Sequence, residues 1–385
     1  MAVVETVRYT YRLRPGAVAL AALERAGGQA RWTWNQCVAT DRARRADGER
    51  LSYGRMAAEL TGWRSEHDWL AEGSQVVQQQ TVRTWWQARQ HSFKVKGRRQ
   101  PTFHAKRRTL PSMEYTRNGF SVKDGRLCVA KCPPIPVVWS RDLPSAPSSV
   151  RVYRDAVGDW WASFVVEREP ERFPAASASI GIDWGVRETA TTTDPAFDLP
   201  HAEHGKRAAQ RLAHYQRQMA RRKPERGQPG SVGYGKAKRT VAKQHRKVAR
   251  QRQDTARKWA RQVVEHHDRI AVEDFKPKFL AKSTMARKAA DATIGATKRT
   301  LLEYGQRAGR DVRLVPAAYT TMTCSECGAR TKRLTLAERT FCCPECGLVL
   351  GRDRNAARTI LAAAGFNGAD VESVRHDPPS GNRAA

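Results

Sequence analysis

Nowhere in the 385 residues is there an unbroken apolar run of the kind that spans a bilayer. Such a helix needs about 20 apolar residues, so no helical membrane span is expected. Acids are scarce: 38 Asp and Glu stand against 69 Lys and Arg, which leaves a formal charge of +31. An excess of this size repels itself until a polyanion neutralises it, and nucleic acid is the usual one. The positive charge is spread over several hundred residues rather than gathered in one amphipathic segment, which argues against a lipid surface. A ribosome-like or generally adhesive basic protein would share the same charge, so charge alone names no function. The opening stretch, MAVVETVRYTYRLRP, lacks the basic-then-apolar order of a secretory leader. A cytosolic chain is therefore expected. No internal repeat is visible, which excludes a solenoid array.

What is present divides into two or three domains by length. Residues 3–13 alternate and predict a strand ended by Arg14-Pro15-Gly16. Apolar residues at helical spacing predict helices over Val18–Asp41 and Ser74–Phe93. Between them and the next module, residues 94–108 hold seven Lys and Arg and no acid, as a solvated or phosphate-contacting loop would. From 109 to 174 short alternating runs (GFSVKDGRLCVA, PIPVVW, SVRVYRDAVGDWWASFVVE) predict a β-rich module with hairpin turns at Asp124-Gly125 and Gly158-Asp159. A linker over 169–179 leads to an alternation of strands and helices, the pattern of an α/β domain. Its longest helix is expected over Lys236–Asp268, with eleven Lys and Arg against three acids and an apolar stripe of Val241, Val248, Trp259 and Val263. A flexible Gly-rich loop over Gly227–Gly235 is expected before it, and a disordered tail beyond Asn367.

The eight cysteines are not spread evenly: five of them lie within the 23 residues 324–346. Cys324-Ser-Glu-Cys327 and Cys343-Pro-Glu-Cys346 are separated by fifteen residues. Two such knuckles place four thiolates tetrahedrally around Zn²⁺, with Gly328 and Gly347 allowing the tight turns. Such a site has no open position, so its role is structural, with nucleic-acid contact by the surrounding ribbon as a second role that stays open. Cys342 is expected to point away from it, and Cys37, Cys128 and Cys132 read as small core residues, although the C-x₃-C spacing of the last two also fits a pair.

Three acids stand at the ends of predicted elements: Asp183 in SIGIDWGV, Glu273 in RIAVEDF, and Asp353 in GRDRNAA, where it opens a helix. Singly, each has a structural reading, as a strand end, an arginine partner or a helix cap. Convergent carboxylates would repel, and two Mg²⁺ ions about 3.5–4 Å apart would hold them while clamping the attacking and leaving oxygens of phosphodiester hydrolysis. Asp268 and Asp274 rank below Glu273 as supporting groups. Glu188, Asp194 and Asp198 fit solvated-loop roles. Of the eleven tryptophans, Trp184 is the one expected outside a core, as a base-stacking surface.

GIDWGV, AVEDF, YTTMTCSECG and CPECGLVLGRDRNAA resemble the nuclease and zinc motifs of the transposon-encoded TnpB family. YTYRLRP, ARWTWN, DWL followed by Gln78-Gln79-Gln80, Pro101-Thr-Phe and GDWWASF are similar to segments of its N-terminal half. Gly351 departs from the pattern, standing where many relatives carry an acid.

The resemblance implies an α/β fold with added helical and β modules. A β-barrel-like wedge domain (1–14 and 109–175) would be interrupted by a helical recognition domain (15–108). A RuvC-like, RNase H-like nuclease domain (176–321 and 349–366) would carry a zinc-ribbon insert (322–348), with 367–385 as tail. It also implies a guide RNA, double-stranded target DNA bearing a short flanking motif, and one site that cuts both strands. Asp183, Glu273 and Asp353 would hold two Mg²⁺; Cys324, Cys327, Cys343 and Cys346 would hold one structural Zn²⁺. One protein copy per RNA and a nucleoid-associated, prokaryotic setting are expected. The smallest type V CRISPR effector nucleases share the architecture, and both contexts stay open. A DDE transposase orders its acids Asp, Asp, Glu, unlike the Asp, Glu, Asp found here. The remaining alternative is a non-cleaving RNA-guided repressor or a zinc-ribbon RNA-binding protein, which needs no acids at 183, 273 and 353.

Overall fold

The computed structural model describes residues 4–225, 227–276, 285–331, 334–335 and 338–366. The expected tail at 367–385 lies outside them. The chain forms two compact units, residues 1–170 with 224–242, and 171–223 with 243–385.

The first unit opens with β1 (Glu5–Leu13), whose alternation buries Val7, Tyr11 and Leu13. Four helices follow: α1 (Ala17–Ala46), α2 (Tyr53–Glu66), α3 (Asp68–Ala71) and α4 (Gln75–Lys94). The sequence reading foresaw α1 and α4 but not α2, although Met56, Leu60 and Trp63 recur at helical spacing and are buried. Ser52 starts α2 by accepting from the Arg55 N–H at 3.2 Å, and Ser74 does the same for α4. A core of Cys37, Val38, Met56, Leu60, Leu70, Val82 and Trp85 joins these helices, each large side chain contributing about 1.5–3 kcal/mol by burial. The basic 94–108 segment is strapped to α1. The Asn35 amide brackets the His104 backbone, donating to its C=O at 3.2 Å and accepting from its N–H at 2.7 Å, while Trp34 stacks on the His104 ring at 4.4 Å.

Six further strands, β2 (Ser112–Thr116), β3 (Phe120–Lys123), β4 (Arg126–Val129), β5 (Ile135–Val138), β6 (Ser149–Arg154) and β7 (Trp160–Arg168), join β1 in one sheet ordered β2-β6-β7-β1-β5-β4-β3. The β3–β4 turn is the expected Asp-Gly pair, with φ of 49° at Asp124 and 70° at Gly125, the left-handed pair that a two-residue hairpin needs.

The second unit is built on a five-stranded sheet ordered β10-β9-β8-β11-β12. Its members are β8 (Ser179–Trp184), β9 (Glu188–Thr192), β10 (Leu199–Pro200), β11 (Arg269–Glu273) and β12 (Asp311–Val315). β8, β11 and β12 run parallel, while β9 and β10 are antiparallel additions. The helices are α5 (His204–Arg221), α6 (Val232–His266, of which residues 243–266 belong to this unit), α7 (Ala286–Ala292), α8 (Ile294–Arg307) and α9 (Arg352–Ala363). A short hairpin, β13 (Thr340–Cys342) and β14 (Val349–Gly351), precedes α9. α6 begins earlier than its sequence suggested, inside the Gly-rich stretch, because Ser231 accepts from the Tyr234 N–H at 3.1 Å and serves as its cap.

The alternation of β8 and β11 sorts the two faces of this sheet. Ile180, Ile182, Trp184, Ile270 and Val272 meet Trp259, Val263, Ile294 and Leu301 on one side. Ala271 faces the other way, into a core with Val315, Ile360 and Ala364. Among the described residues no helix is long and apolar enough to cross a membrane.

Candidate active site and metal centre

β8 and β11 are paired in register up to Ile182↔Val272, and the next residue on each strand is an acid. Adjacent strands lie about 4.8 Å apart, so Asp183 and Glu273 start from neighbouring positions on the face opposite Ile182 and Val272. Both are buried, at 6% exposure each. The Trp184 N–H donates to Glu273 Oε2 at 3.4 Å and its indole Nε1–H to the Glu273 carbonyl at 3.2 Å, which ties the two strand ends together.

Gly181 brings in the third acid. A Cβ there would stand 2.1 Å from the Ala357 carbonyl oxygen and 2.9 Å from Leu361 Cβ, so only glycine lets α9 settle onto β8. With α9 seated, its first turn presents Asp353. The helix cap is Gly351, so Asp353 lies within the first turn rather than at the cap position. Asp353 instead meets Arg352 Nε at 3.2 Å and Arg339 at 3.9 Å.

Burial pushes the Asp183 carboxyl well above the usual range, and the charges of Glu273 and Asp353 push the same way against Arg352. Glu273 is pushed up to about 7, again chiefly by burial, with the Trp184 N–H and Lys298 opposing. Among the described residues neither Asp183 nor Glu273 has an ion-pair partner. The donor set is thus oxygen-rich, charged and under-neutralised, which suits hard divalent cations. The acids are more widely spread than the four cysteines, the one group of such atoms within 4.8 Å of one another among the described residues. Two divalent ions would tolerate that spread, since each would need only some of the carboxylates of Asp183, Glu273 and Asp353.

The other acids have structural work. Lys298 donates to Asp274 Oδ1 at 2.8 Å and to the Phe275 carbonyl at 3.1 Å. Asp268 accepts from the Ala176 and Ser177 N–H groups and pairs with Arg310. Asp194 caps a short turn through Ala196 N–H, and Glu188 is exposed. Asp198 is not the solvated-loop residue its polar surroundings suggested. It receives the Thr192 N–H at 2.7 Å and the Arg354 guanidinium at 2.7 Å, and so ropes α9 to β9. Trp184 is likewise not an exposed stacking surface: it is 5% exposed, edge-on to Trp259 at 5.8 Å.

The four knuckle cysteines converge. Cys324 Sγ–Cys346 Sγ and Cys327 Sγ–Cys343 Sγ are each 3.6 Å, close to the ~3.8 Å sulfur–sulfur edge of a tetrahedron with 2.3 Å Zn–S bonds. Gly328 and Gly347 take φ of 75° and 72°, as the turns require. N–H groups of Cys346 and Glu345 pull the Cys343 thiol down to about 7. At Cys346 the Leu348 N–H pulls the same way but is outweighed by desolvation and the other sulfurs, which hold that thiol up to about 12. A dication among them would remove the mutual penalty, so the cluster suits zinc. Cys342 is exposed and outside the group, as expected. Cys37 is a buried core residue, and Cys128 and Cys132 are free and half-buried rather than joined.

One linking residue went unread in the sequence. Asn355, fully buried, accepts from the Ser325 N–H at 2.9 Å and donates to the Thr323 carbonyl at 2.7 Å. It fixes the first knuckle to the helix that carries Asp353. Its only signal was its place two residues after that acid.

The OrfB_IS605 family model, described as "Probable transposase", matches residues 163–284, and a "Cas12f1-like, TNB domain" model matches 296–360. A Streptomyces pristinaespiralis protein named "Putative RNA-guided DNA endonuclease" is 31% identical over 363 residues, covering 92% of this chain and 88% of its own. A second, InsQ of Escherichia coli (strain K12), bears the same description and is 28% identical, covering 92% of this chain and 91% of its own. The fold is also that of Cas12f1 in a cryo-EM complex with sgRNA and target DNA, with a TM-score of 0.57 at 12% identity over 93% of this chain and 98% of that one. Near-complete coverage by a relative of this identity shows that the chain belongs to the TnpB family of RNA-guided DNA endonucleases.

Proposed function

We propose that the protein uses a guide RNA to find double-stranded DNA and cuts it at a single Mg²⁺-dependent site formed by Asp183, Glu273 and Asp353. The observation that carries this reading is the pair of buried, mutually repelling carboxylates at adjacent strand ends with a third acid on the helix above them. Folding leaves Asp183 and Glu273 without an ion-pair partner among the described residues, and a structural role would not require that. The metals, when bound, would polarise the scissile phosphate and activate water. The chain's own part is orientation. The Trp184 N–H holds Glu273, Gly181 admits α9, and Arg354 with Asn355 fixes the turn that presents Asp353.

In this reading the sheet and helices of the first unit act as wedge and recognition modules. The second unit is a RuvC-like nuclease domain, with a zinc-bearing ribbon over 322–348. Sequence choice falls to guide–target pairing, while the protein holds the duplex by its backbone and reads a short flanking motif. The +31 charge serves the phosphates. A non-cleaving repressor is disfavoured because all three acids are intact.

The test compares wild type and Asp183→Ala with the copurifying guide RNA and a matched plasmid in Mg²⁺. The variant should lose cutting and keep guide-RNA affinity. Cutting at the wild-type rate would remove the site assignment, and sequencing the copurified RNA separates a transposon-end origin from a repeat array.

A further inference from the structure

The stacking surface expected at Trp184 is absent, but an exposed aromatic follows shortly after the strand that pairs with β11. β12 is paired with β11 so that Val315 lies opposite Glu273. Tyr319 follows four residues later, and four residues reach at most about 14 Å even when fully extended. Its backbone therefore lies no more than about 14 Å from the residue paired with Glu273. Tyr319 is 52% exposed, and the Arg330 guanidinium lies over its ring at 3.9 Å from the centroid.

The backbone beneath that ring is costly. Tyr319 has φ of 67°, a left-handed conformation that a bulky residue adopts only when its surroundings impose it. Its carbonyl accepts from the Met322 and Thr323 N–H groups at 2.9 and 3.0 Å, so the turn leading into the first zinc knuckle holds it there. Glycine would fit this position without strain. A half-exposed tyrosine there gains little from burial, so the ring is not explained by packing.

We propose that Tyr319, backed by Arg330, is a stacking platform for one unpaired base of the DNA strand entering the Asp183–Glu273–Asp353 site. The inference rests on the reading of those acids as the cutting site. A base has a π-face whatever its identity, so the contact tolerates any sequence, as a guided nuclease needs. The arginine behind the ring adds a cation close to the strand's phosphates and fixes the ring's tilt. Tyr319 thus positions the strand.

The test uses full-length, guide-loaded protein in the Asp183→Ala background, which keeps the strand whole. Target DNA carries 2-aminopurine at successive positions of the unpaired strand. One position should be quenched by Tyr319 and by Tyr319→Phe, and should regain its fluorescence with Tyr319→Ala. With Asp183 restored, Tyr319→Ala should slow single-turnover cutting by about 5- to 150-fold, the range of one lost base–aromatic stack, while guide-RNA affinity stays unchanged. Tyr319→Gly should keep or raise the melting temperature while showing the same cutting defect. The proposal is overturned if no position depends on Tyr319, if Tyr319→Ala cuts like wild type, or if Tyr319→Gly melts earlier, which would make the ring a packing element. The fluorescence needs no cutting, so failure of the acid assignment would show separately, as an Asp183→Ala protein that still cleaves.

Discussion

Replacing Glu273 by Gln should stabilise the metal-free protein while destroying its activity. In the folded chain burial holds this carboxyl at about 7, against a usual value of 4.5. At about 1.4 kcal/mol per tenfold change in proton affinity, its ionised form is disfavoured by roughly 3 kcal/mol. The sign follows from linkage. The folded state keeps a proton that the unfolded chain releases above about 4.5, so wild-type stability is full below that pH and is lost as pH rises through about 7. Glutamine never ionises, and it also spares Asp183 a neighbouring charge. At about 2–4 °C per kcal/mol, the variant should melt several degrees above wild type at pH 8, with ~12 °C as the ceiling. The advantage should vanish near pH 4. The assay is thermal melting followed by circular dichroism in zinc-replete, magnesium-free buffer. Adding Mg²⁺ should raise the wild type and leave the variant nearly unmoved. A variant no more stable than wild type at pH 8, or a difference indifferent to pH, would refute the electrostatic reasoning.

Gly181→Ala puts a methyl against the Ala357 backbone and should cost about 1–3 kcal/mol in urea unfolding, with cutting lost because Asp353 is displaced. Cys324→Ser should bring bound zinc from one per chain to near none by metal analysis, with an early loss of ribbon structure, since structural zinc contributes ~10–16 kcal/mol in isolated fingers. Asn355→Ala strands the Ser325 N–H and Thr323 carbonyl and should cost about 2–4 kcal/mol; zinc release to a chelator should quicken with it.

The sequence made the local elements readable where one residue type performs one task. Alternation marked β1, the paired CxxC knuckles marked the metal centre, and Asp-Gly marked the β3–β4 turn. The acids at 183 and 273 were legible as strand ends, but strand neighbourhood was not, because β8 and β11 are separated by the strands β9 and β10 and the helices α5 and α6 and meet only in the sheet. What escaped were residues whose role is set by a distant partner. Asp198 looked like a loop acid until Arg354 reached it across 156 residues. Trp184 looked like an exposed stacking surface because it adjoins Asp183, yet the strand's alternation turns it toward Trp259. α2 was missed although Met56, Leu60 and Trp63 carry its period, because its polar remainder offers a weak apolar stripe.

Manganese soaked into crystals of the protein gives the most direct test, with diffraction collected at the metal's absorption edge. Two anomalous peaks should lie against the carboxylates of Asp183, Glu273 and Asp353 and be absent from crystals of Asp183→Ala. Well-occupied manganese elsewhere, with none at these three acids, would contradict the account.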